Sequence, residues 1–371
     1  MKKVSELGFG FLRLPLKDSD KPGSYDWDLF CDMTDLFMDM GGSYFDTCYT
    51  YLDGASEEGI RRCVTERKPR KSFRLAEKIP GYECKSYEDC QKFFDKECER
   101  CGTDYFDVLM LHWLNRENYA IAEAQDQFRF LEEKKKDGGA VLTGFSYHDD
   151  AELLDEILTA HPEVDVVQIQ LNYLDWDTIG IESGKCYDVC VSHGKRVYVM
   201  EPVKGGILAD IPEDAQKILR SQHPDWHPAQ WAVSFARSLP QVDVVLSGMS
   251  DLPQVRSNME AAEALTSQEK KILMQAAGII KSDVKVQCTA CGYCRPHCAR
   301  DIYIPEMFRM YNEISRHPEE DWKLKPLYDK LADMGKSASD CAGCRACEEH
   351  CPQGIKISEH MKEIEEKFRQ K

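Results

Sequence analysis

From the N-terminus to about residue 280, short runs rich in β-branched and aromatic residues alternate with longer stretches whose apolar positions recur at helical spacing. The short runs are 7–12, 43–48, 73–79, 107–113, 141–147, 164–171, 196–201 and 242–249. Their length and residue types predict strands. Between and after them, 27–40, 56–66, 87–100, 119–136, 152–160, 184–193, 229–238, 253–264 and 267–277 carry the pattern of amphipathic helices. Strand and helix alternating eight times imply a parallel sheet, and eight units in this length predict a closed (β/α)8 TIM barrel rather than an open sheet. Gly8-Phe9-Gly10 lacks a third glycine and lies inside the first strand, so it is no dinucleotide fingerprint. Lys134-Lys135-Lys136 followed by Asp137-Gly138-Gly139 reads as the basic end of a helix and its glycine stop.

The alternation ends near residue 280, and so does the charge. The chain has 371 residues and a formal net charge of −17. From Lys281 to Lys371, 16 basic and 16 acidic side chains cancel, so the whole excess belongs to residues 1–280. Two domains are therefore expected, a barrel over 1–280 and a smaller unit over 281–371. An acidic surface disfavours nucleic acid and anionic membrane as partners. No apolar run reaches the length of a spanning helix, and Glu6 and Arg13 interrupt any signal-like segment. A cytoplasmic location is expected.

Cysteine usage separates the two parts. Nine of the 17 cysteines are scattered from Cys31 to Cys190 and are expected to be reduced core residues. The other eight form two runs, Cys288/Cys291/Cys294/Cys298 and Cys341/Cys344/Cys347/Cys351, each with the spacing C-x2-C-x2-C-x3-C. That is the pattern of proteins binding two 4Fe-4S clusters. Three cysteines at intervals of three let one loop wrap a cluster corner, and the fourth reaches the other cluster. The expected sets are Cys288, Cys291, Cys294 with Cys351, and Cys341, Cys344, Cys347 with Cys298. Structural zinc has no use for a third and fourth cysteine at these spacings, and disulfides conflict with a cytoplasmic chain. Pro352 follows the second run, whereas Ala299 follows the first; the change relaxes a loop and removes no ligand. His297 and His350, each preceding a fourth cysteine, are expected beside the clusters rather than as ligands. The 42 residues between the runs carry helical patterns at 304–315 and 324–334. In this the module resembles the α-helical two-cluster ferredoxins that serve as electron-transfer units of larger oxidoreductases.

A barrel places its active residues at the C-terminal ends of its strands. Asp46, Tyr51, Lys78 and His112 occupy such positions after the second, third and fourth strands. Singly, each has a plain reading as a helix cap or satisfied polar residue. Together they resemble the aldo-keto reductase superfamily. Phe45-Asp46-Thr47-Cys48-Tyr49-Thr50-Tyr51 is similar to its F-D-T-A-x-x-Y segment, with Lys78 in Leu75-Ala76-Glu77-Lys78 and His112 in Leu109-Met110-Leu111-His112-Trp113 completing the family's tetrad. Leu7-Gly8-Phe9-Gly10 is similar to its first strand and Gly144-Phe145-Ser146 to its nicotinamide-gripping segment. The likeness covers residues 1 to about 277, and the appended cysteine runs make the chain resemble the iron-sulfur branch of that superfamily.

The resemblance implies an oxidoreductase acting on a small carbonyl or alcohol. Tyr51 would be the acid, Lys78 the ammonium that lowers its pKa, Asp46 the partner holding Lys78, and His112 the group orienting the carbonyl oxygen. Ser146 and Gln168 would hold the nicotinamide carboxamide, with Asn172 nearby. Departures are visible. Tyr147 and His148 follow Ser146 where the family has asparagine, and Met200 stands where an aromatic stacks on the nicotinamide. Near strand eight, Gly248 and Gln254 occupy positions that are basic in many members, leaving Asn258 as the matching residue. A 2′-phosphate would lose charge-assisted hydrogen bonds there, which favours NAD(H) over NADP(H). Nicotinamide moves electrons in pairs and each cluster moves one, so a flavin bridging the two is the alternative cofactor. Ferredoxin or another electron carrier is the expected partner. Two other readings are an electron-transfer subunit whose barrel docks a larger complex, and an ordinary NAD(P)H-dependent reductase with structural clusters.

Overall fold

The computed structural model describes residues 6–18, 21, 23–178, 181–316 and 321–369. Eight strands run β1 (Glu6–Gly10), β2 (Tyr44–Asp46), β3 (Arg74–Ile79), β4 (Phe106–Leu114), β5 (Ala140–Tyr147), β6 (Val166–Gln170), β7 (Arg196–Met200) and β8 (Val242–Gly248). Each pairs in parallel with the next, and β8 pairs with β1, closing the expected barrel. Its interior is filled by Tyr44, Met110, Val166, Tyr198, Val244 and Leu246, among others. Gly8 belongs in this layer because nothing larger fits: a Cβ there would lie 2.7 Å from Leu246 and 2.9 Å from Tyr44.

Helices α1 (Trp27–Asp39), α2 (Ala55–Ile60), α3 (Tyr87–Cys101), α4 (Arg116–Ala124), α5 (Gln127–Asp137), α6 (Ala151–Ala160) and α7 (Ser183–Ser192) follow the strands in turn. Their starts are written locally. Asp26 accepts from Leu29 N–H at 3.2 Å and Asp150 accepts from Leu153 N–H at 2.9 Å, each satisfying an amide that the helix leaves free. The helix expected over 119–136 is two, because Asp126 adopts φ 54° between α4 and α5. One expectation for the scattered cysteines is corrected. Cys31 of α1 and Cys63, in the π-helical turn that continues α2, form a disulfide with Cα atoms 4.7 Å apart, the separation a bridge requires. Periodicity places both on apolar faces but cannot show that the faces meet.

By contacts the chain divides into two compact units, residues 1–203 with 229–270, and residues 204–228 with 271–371. The first contains the barrel strands, with α9 (Pro228–Arg237) beginning at its margin and α10 (Leu252–Met259) following β8. The second contains α8 (Glu213–Arg220), most of α11 (Ser267–Asp283), α12 (Ile304–Arg316), α13 (Asp321–Asp333) and α14 (Ile357–Arg369). Met307, Phe308, Ile314, Met361, Ile364 and Phe368 make its core, and the cysteines pack on that core. Segment 204–228 belongs here through its first residues. Lys204, fully buried, donates to Gln353 Oε1 at 3.2 Å, and Gly205 lies against the Thr289 backbone with no room for a Cβ.

Candidate active site and cluster-binding loops

Asp46 ends β2, Lys78 lies one residue before the end of β3, and His112 lies near the end of β4. Parallel register brings these ends to one rim of the barrel. Lys78 is fully buried, and its ammonium donates to Asp46 Oδ1 at 2.6 Å and to the Thr47 carbonyl at 2.7 Å. The same ammonium lies over the Tyr51 ring, 4.9 Å from its centroid, and that ring stands edge-on to His112 with centroids 5.7 Å apart. All four tetrad residues therefore converge.

The electrostatics differ from expectation at Tyr51. Burial pushes its phenol pKa well above the ordinary value, and Cys48, Asp46, Tyr82 and Glu77 push the same way. Lys78, paired with Asp46 and lying over the ring, does not outweigh burial. Burial also raises the Asp46 carboxyl, with Lys78 opposing, and leaves Asp46 Oδ2 buried without a hydrogen-bond partner. His112 is driven well below its ordinary pKa by burial, then by Lys78 and His148, so its ring is neutral at physiological pH.

Three residues outside the tetrad join this group. Cys48 Sγ lies 3.2 Å and Tyr82 Oη 3.4 Å from His112 Nδ1. His148 has its pKa lowered to about 3 by burial and by Lys78, and its Nδ1 is buried without a partner. In the sequence, His148 is visible only as a departure, and Tyr82 gives no signal, since it sits in the loop after β3.

Ser146 and Gln168 are opposite one another in the β5–β6 register and both are buried. Ser146 Oγ accepts from Trp113 N–H at 2.7 Å. Gln168 donates through Nε2 to Met200 Sδ at 3.7 Å, and its Oε1 is buried and unpartnered. Asn172 is differently occupied. Its amide donates to Asp175 Oδ2 and the Glu201 carbonyl, and its oxygen accepts from Leu174 and Asp175 N–H, so all four of its bonding positions serve the loops after β6 and β7. Asn258 Nδ2 donates to Ser247 Oγ at 2.9 Å. Gln254 is held by Asp251, and Gly248 lies beneath Arg13, a cation from the loop after β1 that strand-eight spacing could not bring into view. Arg13 stands 4.0 Å from Glu201.

The cysteine loops converge in the crossed sense. Cys298, Cys341, Cys344 and Cys347 line one cavity, walled also by Ile302 and Met361. Cys294 is pushed up in pKa by burial and by its neighbours Cys291, Cys288, Cys351 and Cys347. Burial raises Cys347 to about 11, with Cys298 and Cys341 as the nearest thiols contributing. Thiols of both runs surround Cys294 and Cys347, a donor set that fits two clusters. His297 and His350 stack ring on ring at 3.3 Å.

Residues 6–277 match the Aldo/keto reductase family and residues 286–355 match the 4Fe-4S dicluster domain. The chain belongs to the aldo/keto reductase family. It is an oxidoreductase carrying a two-cluster iron-sulfur domain. It is 23% identical over 237 residues to a glyoxal reductase of Bacillus subtilis, spanning 60% of this chain and 80% of that one. Over 82 residues it is 33% identical to a probable glycolate oxidase iron-sulfur subunit of the same organism, spanning 21% of this chain and 17% of that one. An aldo-keto reductase from Klebsiella pneumoniae, solved with NADP and acetate, shares the barrel with a TM-score of 0.59 at 17% identity, covering 74% of this chain and 95% of that one. No described helix of this aldo/keto reductase is long and apolar enough to cross a membrane.

Proposed function

We propose that this family member interconverts a small carbonyl compound and its alcohol at the barrel rim, while its two 4Fe-4S clusters exchange single electrons with an external carrier such as a ferredoxin. The observation that carries the reading is the convergence of Lys78, Asp46, Tyr51 and His112 on one rim, with Lys78 fixed 2.6 Å from Asp46. Tyr51 supplies the proton to the developing alkoxide, and neutral His112 orients the carbonyl oxygen. The raised pKa of Tyr51 keeps the phenol protonated until the reacting oxygen arrives, and Lys78 then stabilises the charge that proton loss leaves behind. Bound nicotinamide would supply the hydride, and the clusters single electrons. Ser146 and the unpartnered Gln168 Oε1 suit the carboxamide. The cofactor read here is NAD(H), because Gln254 is tied to Asp251 where a 2′-phosphate would need cations and Arg13 is drawn toward Glu201.

Reduction by hydride consumes one reduced nicotinamide, and the two electrons needed to restore it equal what two clusters deliver singly. The crossing between paired and single electrons is where a flavin would serve. Protein purified without oxygen should therefore be examined optically for flavin and then mixed with NADH, NADPH or reduced ferredoxin, with and without aldehydes and ketones. Substrate-dependent bleaching or recovery of cluster absorption supports the proposal. Clusters that never change redox state in any combination would sink it.

A further inference from the structure

Outside the barrel wall, between β3 and helices α2 and α3, three carboxyl groups and a thiol are shut away from solvent. Glu57, Glu77, Glu97 and Cys101 are each 0% exposed. Ligand atoms of Glu57, Glu77 and Cys101 lie within 4.8 Å of one another. Glu97 stands one helical turn before Cys101 on the same face of α3.

The hydrogen bonds in this cluster are incomplete. Glu57 Oε2 accepts from Arg100 at 2.8 Å, Glu77 Oε1 from the Lys78 N–H at 2.9 Å, and Glu77 Oε2 from the Cys101 thiol at 3.3 Å. Glu57 Oε1 and both oxygens of Glu97 are buried with no partner at all. Burial raises the Glu57 carboxyl to about 7 against the pull of Arg100, and raises the Glu77 and Glu97 carboxyls well beyond the usual range, where neighbouring carboxylates add to the cost. An unpaired buried carboxylate is among the costliest groups a fold can contain. Arg100 is the cation paired with Glu57 here, and it leaves Glu57 Oε1 and both oxygens of Glu97 unanswered.

We infer that Glu57, Glu77 and Cys101 form a binding site for one divalent transition-metal ion of the zinc type, separate from the iron-sulfur clusters, with the unpartnered Glu97 beside it. Two carboxylate oxygens and one sulfur make a three-donor set that a borderline cation completes with a water, whereas magnesium and calcium take oxygen alone. On binding, the Cys101 S–H bond breaks, the thiolate ligates the ion, and its proton, with any carried by the carboxyls, passes to solvent; no redox change occurs. Arg100, the partner of Glu57, lines a solvent hollow together with Asp53, Glu58 and Arg61. Once bound, the ion would tie β3 to α2 and α3 one residue from Lys78, fixing the strand that carries the ammonium. The inference does not rest on the proposed reaction.

The test uses the full-length protein with its clusters intact, purified without oxygen, equilibrated with a slight excess of zinc chloride and desalted. Elemental analysis should find about one zinc per chain beside the cluster iron, and zinc K-edge absorption should show one sulfur at about 2.3 Å with oxygens at about 2.0 Å. Glu57→Gln and Cys101→Ser should each lose that zinc and retain the iron. No zinc in the wild type, an all-sulfur zinc shell, or zinc retained in either folded variant would overturn the inference. Should both variants fail to fold, the wild-type edge alone decides.

Discussion

Lys78 and Asp46 form an ion pair of 2.6 Å with almost no exposure of either side chain, 0% and 4%. Such a pair contributes little net stability when intact, but removing one partner leaves a buried charge uncompensated. Asp46→Asn should therefore cost about 3–5 kcal/mol in stability. Chemical denaturation of wild type and variant under the same anaerobic conditions measures it, and a loss below about 1 kcal/mol would show that the Thr47 carbonyl alone holds the ammonium.

Tyr51→Phe removes one oxygen and leaves the ring over Lys78. Carbonyl reduction should fall by about 10²–10⁴ in kcat, the range of a single general acid. The optical and EPR signals of the clusters should not change. Turnover unchanged in this variant would move the barrel's role from catalysis to docking.

Much of this was legible in the chain. All eight strands follow from short β-rich runs between amphipathic stretches, because parallel strands covered on both faces must be continuously apolar. The tetrad was readable because each member sits at a strand end next to a recognisable segment. What could not be read depends on contacts between elements distant in sequence. Arg13 reaches Gly248 from the loop after β1, Cys48 and Tyr82 meet at His112 from two different loops, and Cys31 meets Cys63 across two helices. The α8 helix went unread because 213–220 is short and highly charged, and only its neighbours in space assign it to the second unit. Glu77 was hidden by its own position. A single polar residue beside Lys78 reads as surface until α2 and α3 are seen to cover it.

Acid should destabilise the barrel through its two buried rings. His112 and His148 both have depressed pKa values in the folded state, His148 to about 3, so both stay neutral there while the unfolded chain binds protons below its ordinary histidine pKa of about 6.5. Their stabilising contribution is therefore complete above about 6.5 and is lost as pH falls toward the folded values. Each can account for up to about 1.4 kcal/mol per pH unit in that window, less for half-buried His148. Denaturation midpoints at pH 5.5 and 6.5 should show the decline, and His148→Gln should make it shallower.

Cofactor choice can be pressed at Gln254. The side chain is bonded to Asp251 and Ser250, at a position where a guanidinium would face a 2′-phosphate. Wild type should use NADH with the higher kcat/KM, and Gln254→Arg should raise kcat/KM for NADPH by about 10-fold or more through charge-assisted hydrogen bonds worth about 1.5–3 kcal/mol. Should the wild type prefer NADPH, Arg13 becomes the cation responsible, and Arg13→Ala should abolish the preference.

The crossed pairing of the fourth cysteines makes the sharpest demand on the iron-sulfur domain. Cys298 belongs by sequence to the first run, yet it shares a cavity with Cys341, Cys344 and Cys347 and contributes to the charge around Cys347. Cys351, from the second run, stands among the neighbours of Cys294. Cys298→Ser should therefore damage the cluster of the second run and leave that of the first, and Cys351→Ser should do the reverse. In each variant iron should fall from about eight per chain toward about four, or about seven if the damaged cluster survives as a three-iron form. Iron counting alone cannot tell which cluster was lost, so each variant is combined with Cys291→Ser. If pairing is crossed, Cys298→Ser with Cys291→Ser strikes both clusters, while Cys351→Ser with Cys291→Ser strikes one twice and spares the EPR signal of the other. Uncrossed pairing predicts the opposite result for the two double variants.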